Sequence, residues 1–546
     1  MTKAEHGRIL FIFCGLFLCF LFLSGCRREE APRIVSISPR IGVMGDVLTI
    51  QGYGFGSERN QSFITIAGTP PTSAAYISWS DEEILVRTPE FGNAGLVYVH
   101  RGRLRSNPAL FANMTTMPTL AHTHIDNGPR ITSIEPASGP IGSLITIHGA
   151  NFGSSRNNSG VFFPWIYEQA PAAEAENREM RFIEISEMEF GYDLWSDREI
   201  RVRVPSGAVS GNLEIRTERG NSQPVFFNIT GSIGTKVYRD RRTFLLSNML
   251  DIQVDRATSP NALFIWMPQP IVSSSQRNVR VISRNRDPFI ENFQGAALYH
   301  FIDAAPGSNW QIGINHAVDV YAVETNIRNV ALPRLNSPSP VNAAFVLPSP
   351  LIPSNNPDIR TQATALIANA PLPFVRAQRI YQWIISNIEI RNTPLTGGVL
   401  EALEYSVADS YQAALLFCAL ARAVGIPAIP VAGVLVDSAN NAVKHHWVEF
   451  WLDGFGWVPV DPALGAGAAP EGFELREDHA AFYFGNMDNQ RIAFSRGERF
   501  LYQMTPHGRT TQRDRNFSLQ NIWEEATGGL ESYSAFWSDI SITGTF

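Results

Sequence analysis

The sequence predicts a multidomain chain: small antiparallel β-sandwiches in the first half, then an α+β domain. Two observations carry this. Before residue 230, a set of isoleucine, proline and glycine phrases recurs at a fixed offset among short runs that alternate apolar and polar residues. After residue 355 the apolar period lengthens from two to about 3.6, the spacing of amphipathic helices.

The bulk numbers agree. A chain of 546 residues is too long for one core, and about three to five domains follow from its length. Hydrophobic residues make up 44% and charged residues 17%, a globular balance. A net charge of -7 spread over this length gives no nucleic-acid surface. The 42 glycines and 35 prolines favour turn-rich β modules.

At the N-terminus, Lys3 and Arg8 precede an apolar run over 9–23. That run is about 15 residues, short of the roughly 20 that cross a bilayer. Small residues then lead into Cys26 and Arg27-Arg28, the pattern of a secretory signal. The Leu23-Ser24-Gly25-Cys26 phrase resembles the lipobox of bacterial lipoproteins. The resemblance implies a signal peptide over 1–26, a diacylglyceryl thioether on Cys26 and a body held by lipid at a membrane of the bacterial cell envelope. The expected place is the outer membrane, the cell surface or the periplasmic face. Cys14 and Cys19 lie in the leader, so Cys418 is the one thiol expected free and no internal disulfide is expected.

The repeat is explicit. Ile34-Val35-Ser36-Ile37-Ser38-Pro39 returns as Ile131-Thr132-Ser133-Ile134-Glu135-Pro136, an offset of 131 − 34 = 97. The same offset pairs Gly42 with Gly139, Gly45 with Gly142 and Gly52 with Gly149. Trp79-Ser80-Asp81 matches Trp195-Ser196-Asp197 at 195 − 79 = 116, so the second copy holds 116 − 97 = 19 extra residues, placed near 171–177. The Ser-Ile-x-Pro opening and the Gly-x-x-Phe-Gly turn resemble the IPT/TIG immunoglobulin-like family over 31–113 and 128–229. Such modules serve as spacers or adhesive surfaces, so an envelope or extracellular protein, or a glycan, is a partner the resemblance implies.

A β-rich region follows over 236–346. In it, Ala262 to Pro268 reads as a buried strand stopped by proline, and 318–323 alternates for most of its length. Its position and its Ile265-Trp266-x-Pro-x-Pro phrase resemble the β-domain that precedes bacterial transglutaminase-like cores. Pro-rich text over 333–357 reads as a linker. Ala363, Leu366, Ile367 and Ala370 then share one helical face, and Ala377, Ile380, Ile384 and Ile388 share another. A third helix over about 411–424 is apolar on most sides and should be buried; Gly425 and Pro427 close it.

Three phrases in order resemble the transglutaminase core, a relative of papain-type cysteine proteases, over 355–500. They are the helix with its Leu420-Ala421-Arg422-Ala423-Val424-Gly425-Ile426-Pro427 ending, then His445-His446-Trp447-Val448-Glu449, then Gly454-Phe455-Gly456-Trp457-Val458-Pro459-Val460-Asp461. The resemblance implies a nucleophile at the helix N-terminus, a histidine base beside it and a carboxylate holding the base. It places the base at His445, since His446 would face the other way along a strand, and the carboxylate at Asp461. Trp447 and Trp457 are expected to frame the cleft. Residues 484–497 would supply closing strands, and 501–546 is a C-terminal extension whose aromatics pack back on the core without an assigned role.

The nucleophile departs from the family. Its cysteine position falls on Ser410, and Cys418 lies eight residues further, about 12 Å along the helix and rotated by some 80°. Cys418 therefore reads as a small buried residue. Asp409 and Ser410 are also good helix N-caps, which explains both residue types without chemistry. Two functions stay open on these residues. One is a peptide- or protein-binding or scaffolding cleft without thiol catalysis. The other is an acyl-transfer enzyme, a peptidase, amidase or protein cross-linker, using Ser410, His445 and Asp461. No nucleotide loop and no metal-ligand spacing occurs, His122-Thr123-His124 falling in an interdomain stretch, so no cofactor or metal is expected.

Overall fold

A computed structural model describes residues 31–89, 95–113, 128–165 and 181–546. The chain divides into two compact units, Met1–Asp126 and Asn127–Phe546. The lipobox, the His122–His124 phrase and the 171–177 insertion lie outside the described residues.

The first unit is a sandwich. One sheet orders the strands Arg33–Ser38, Val47–Tyr53, Glu83–Arg87 and Tyr76–Trp79; the other orders Ile41–Gly42, Ala109–Asn113, Gly95–Arg101 and Phe63–Ile66. Alternate residues such as Leu48, Ile50, Ile64, Ile84 and Val86 are buried between them, as period-two patterning requires. The second sandwich, at the head of the second unit, repeats that order with Arg130–Glu135, Leu144–Ala150, Glu199–Arg203 and Tyr192–Trp195. Register repeats too: Ile34 lies opposite Gly52, and Ile131 opposite Gly149. The repeated glycine has a steric cause. A Cβ on Gly52 would sit 2.0 Å from the Arg33 carbonyl oxygen, and one on Gly149 equally close to that of Arg130.

The third region is a single eight-stranded sheet built on one 35-residue strand, Gly234–Pro268. Its first half pairs with Asn309–Ile327 and its second half with Ala296–Ile302. The expected stop at Pro268 is the end of this strand. The C-terminal segment is not a separate extension. Glu524–Trp537 and Ser541–Thr545 pair with the long strand, and Arg509–Thr511 pairs with Glu524–Trp537. The reason is the open edge of the long strand, whose backbone groups need partners; Ala526 and Leu530 are buried in the process. The Pro-rich stretch also holds a helix, Pro340–Phe345, capped by the Ser339 side chain.

The α+β core has helices Pro357–Leu366, Pro373–Asn387, Val399–Tyr405 and Ser410–Ala423 beside a four-stranded sheet. That sheet orders Gly456–Val460, Ala442–Leu452, Ala428–Val436 and Arg491–Arg496. The helix Ser410–Ala423 buries every residue from Tyr411 to Arg422, as its all-round apolar text demands. It packs with Val448, Phe450 and Leu452 on one face of the sheet. Gly425 takes φ +78, the left-handed conformation that ends a helix at low cost for glycine.

Candidate functional site

The site lies where the N-terminus of this helix meets the His-bearing strand. The helix starts on a reciprocal cap: the Asp409 carboxylate accepts from the Gln412 backbone N–H at 2.8 Å, and the Gln412 side chain accepts from the Asp409 N–H at 3.2 Å. Asp409 also accepts from the Leu395 N–H at 2.9 Å and pairs with Arg515. Arg515 donates to the Gly397 carbonyl and stands 4.7 Å from the centre of the Tyr411 ring. Two bonds to Asp409, from Leu395 and Arg515, thus hold the first turn from outside the helix.

Ser410 is the first helical residue and is half-buried. Among the described residues, it hydrogen-bonds to neither histidine. Cys418 is fully buried, and burial pushes its thiol up to about 12, so it stays protonated and inert.

His445 and Asp461 do meet. The His445 Nε2 lies 2.8 Å from Asp461 Oδ2, and both side chains are buried. Asp461 also accepts from Arg491 at 2.9 Å and from the Leu464 N–H at 3.0 Å, at the start of the short helix Pro462–Gly465. Burial alone would raise this carboxyl, but the neighbouring His445 ring and its hydrogen bond, with Arg491, hold it at about 2. An ionised Asp461 accepts a hydrogen bond from His445 Nε2–H, which leaves Nδ1 as the ring nitrogen outside this pair. Among the described residues nothing hydrogen-bonds to Nδ1.

His446 takes the opposite face. Its ring meets Tyr411 edge-on at 5.1 Å, and its Nε2 donates to the Asn516 carbonyl at 3.2 Å. Burial, then the neighbouring His445, depresses it to about 3, so it is neutral. It is therefore His446 whose ring touches the helix, while His445 stacks beside Trp447 with ring centres 6.4 Å apart. Trp447 and Trp457 are 4% and 2% exposed. Together with Lys236, Glu449, Arg491 and Arg496 they line an enclosed space of about 40 Å³, room for a water or two. Arg496 pairs with Glu449 behind them and lies over Trp457.

Two contributors escaped the sequence. Arg491 sits 30 residues from Asp461 and Arg515 106 from Asp409. Arg491 falls in the expected closing strands, but nothing in its local pattern marks a partner; Arg515 falls in the segment given no role.

Comparisons with known proteins follow this architecture. Residues 360–462 match the family model of the transglutaminase-like superfamily, and residues 32–111 and 129–164 match the IPT/TIG domain. An uncharacterized protein of Haemophilus influenzae is 30% identical over 159 residues, 23% of this chain and 43% of that protein. The chain spans less than half the length of the curated relatives it matches. A solved structure of a proposed cysteine protease from Cytophaga hutchinsonii aligns with TM-score 0.38 and 15% identity, covering 57% of this chain and 92% of that one. The periplasmic domain of TgpA from Pseudomonas aeruginosa aligns with TM-score 0.24 and 16% identity, covering 40% and 87%. The chain is multidomain, carrying IPT/TIG domains in its first half and a transglutaminase-like domain at residues 360–462.

Proposed function

We propose that the transglutaminase-like domain is a peptide- or protein-binding and scaffolding unit without thiol catalysis, in a lipoprotein anchored to the cell envelope through Cys26. The observation that carries this is Ser410. A serine stands where the family's nucleophile would be, in a helix turn locked by Asp409, Gln412 and Arg515, and it makes no hydrogen bond to His445. A helix end favours a thiolate but does not ionise a serine hydroxyl, so an acyl-transfer role needs a base in contact. The sandwiches then act as spacers or as adhesive surfaces for an envelope protein or a glycan.

A second reading rests on the His445–Asp461 pair, buried at 2.8 Å with its Nδ1 unoccupied. Such a pair orients a base, and Ser410, His445 and Asp461 would form an acyl-transfer triad if the strand turned His445 from its present face to the one the helix packs on. The test is to assay peptide hydrolysis and amine transfer from glutamine peptides with lipid-free 27–546, as wild type, Ser410→Ala and Ser410→Cys. Wild type and Ser410→Ala are expected silent. Wild-type turnover that disappears in Ser410→Ala would replace the binding reading with the enzyme.

A further inference from the structure

A turn of the C-terminal segment lies against the helix end that carries Ser410. Between Thr511 and Phe517 it runs along the surface: Gln512 and Asp514 are exposed, and the chain returns to the core only at Phe517. On one side Arg513 ties it to Glu524 and to the Ala535 carbonyl of its own sheet. On the other side it reaches the transglutaminase-like core. The Asn516 carbonyl accepts from His446 at 3.2 Å, and Arg515 donates to the Asp409 carboxylate and to the Gly397 carbonyl. Arg515 adopts φ +56, a left-handed conformation that a residue with a side chain rarely keeps unless its contacts hold it there. The turn is therefore a strap whose strained residue is the one seated in the cleft.

The contacts of Arg515 are specific to a guanidinium. Its two terminal nitrogens donate to two different acceptors, and its central carbon stands 4.7 Å from the middle of the Tyr411 ring. A lysine ammonium gathers its donors on one nitrogen and has no flat face to lay on a ring. Charge points the same way. Burial first pushes the Tyr411 hydroxyl up to about 12, with Arg515 opposing and Asp514, Glu498 and Asp409 adding to the rise. Without Arg515, the charges acting on Tyr411 are all carboxylates, and the neighbouring His446 is neutral. The partial positive charge of the helix end is already met by its Asp409 cap. An open cleft would thus favour a cation, and its acceptors are spaced for a forked, planar one.

We infer that the cleft beside Ser410 is an arginine-binding site, filled by Arg515 of the chain's own C-terminal segment until an arginine side chain of a peptide or protein ligand displaces the strap. This rests on the binding reading above and names its ligand class.

The test uses lipid-free 27–546, as wild type and Arg515→Ala, titrated calorimetrically with the acetylated, amidated tripeptide Gly-Arg-Gly and its lysine and citrulline counterparts. Removing the internal competitor should tighten Arg515→Ala for the arginine peptide by about tenfold or more. The lysine form should bind about tenfold more weakly, and citrulline, which keeps the shape without the charge, should not bind. Wild type supplies a readout that needs no variant to fold: saturating arginine peptide should accelerate hydrogen exchange across 511–517. Equal affinity of the two proteins, binding of citrulline as well, or exchange that the peptide leaves unchanged would overturn the assignment and make Arg515 a fixed brace. Mass spectrometry of the peptide separates this inference from the reading beneath it. A peptide bound in the expected order but consumed would uphold the arginine site and overturn the non-catalytic reading, whereas an intact peptide that fails to bind overturns the arginine site alone.

Discussion

Asp461 is the residue on which the site's electrostatics turn. It is fully buried and accepts from His445, Arg491 and a helix N–H at once. Replacing it with asparagine leaves Arg491 with Asp488 alone, at 2.5 Å, and His445 without an anion. Because Arg491 keeps that second partner, Asp461→Asn should cost about 2–3 kcal/mol, below the loss of a buried charge's only partner. Urea midpoints at constant slope would show it, and an unshifted midpoint would refute the network. At this scale the sequence was partly legible. The His-x-Trp and Gly-Trp phrases mark His445 and Asp461, which do pair, but the histidine that strand alternation turns toward the helix is His446, not His445. Arg491 and Arg515 were not legible, since an arginine's role is set by distant partners.

At the scale of elements, the repeat was the most readable feature because its glycines answer to backbone geometry. Ala at position 52 or 149 would bring a Cβ to 2.0 Å from a facing carbonyl oxygen. Gly52→Ala and Gly149→Ala should each destabilise their own sandwich by at least about 2 kcal/mol. Peptide-level hydrogen exchange should accelerate across 33–87 in the first variant and 130–203 in the second. Unchanged exchange would mean the strands have slack that the structure does not show. The helices were legible for the same local reason, their period. The seven-residue helix Val399–Tyr405 is too short to show one, and the strand Glu524–Trp537 read as an aromatic tail because its partner lies more than 250 residues earlier.

For the second unit as a whole, Lys236 joins three modules. Lying on the long strand, it donates to Ser206 Oγ of the second sandwich at 2.5 Å and to the Trp457 carbonyl of the core. Burial depresses it from 10.5 to about 8, against the pull of Glu189 and Glu449. Between those values the unfolded chain binds the proton that the folded one has released. Stability from this group therefore rises as pH climbs from about 8 to 10.5. Subtracting the curve of Lys236→Met from that of wild type should leave this upward slope; a flat or falling difference would show the amine is not desolvated. No local pattern marks Lys236, because its cost and its partners arise only when the modules dock.

The central claim, that Ser410 starts a helix rather than a reaction, is tested most directly by covalent capture. Fluorophosphonate probes react with serines activated by an adjacent base. Lipid-free 27–546 should show no adduct at Ser410 by peptide mass spectrometry, in wild type and in His445→Ala alike. An adduct on Ser410 that depends on His445 would contradict the account and establish the triad.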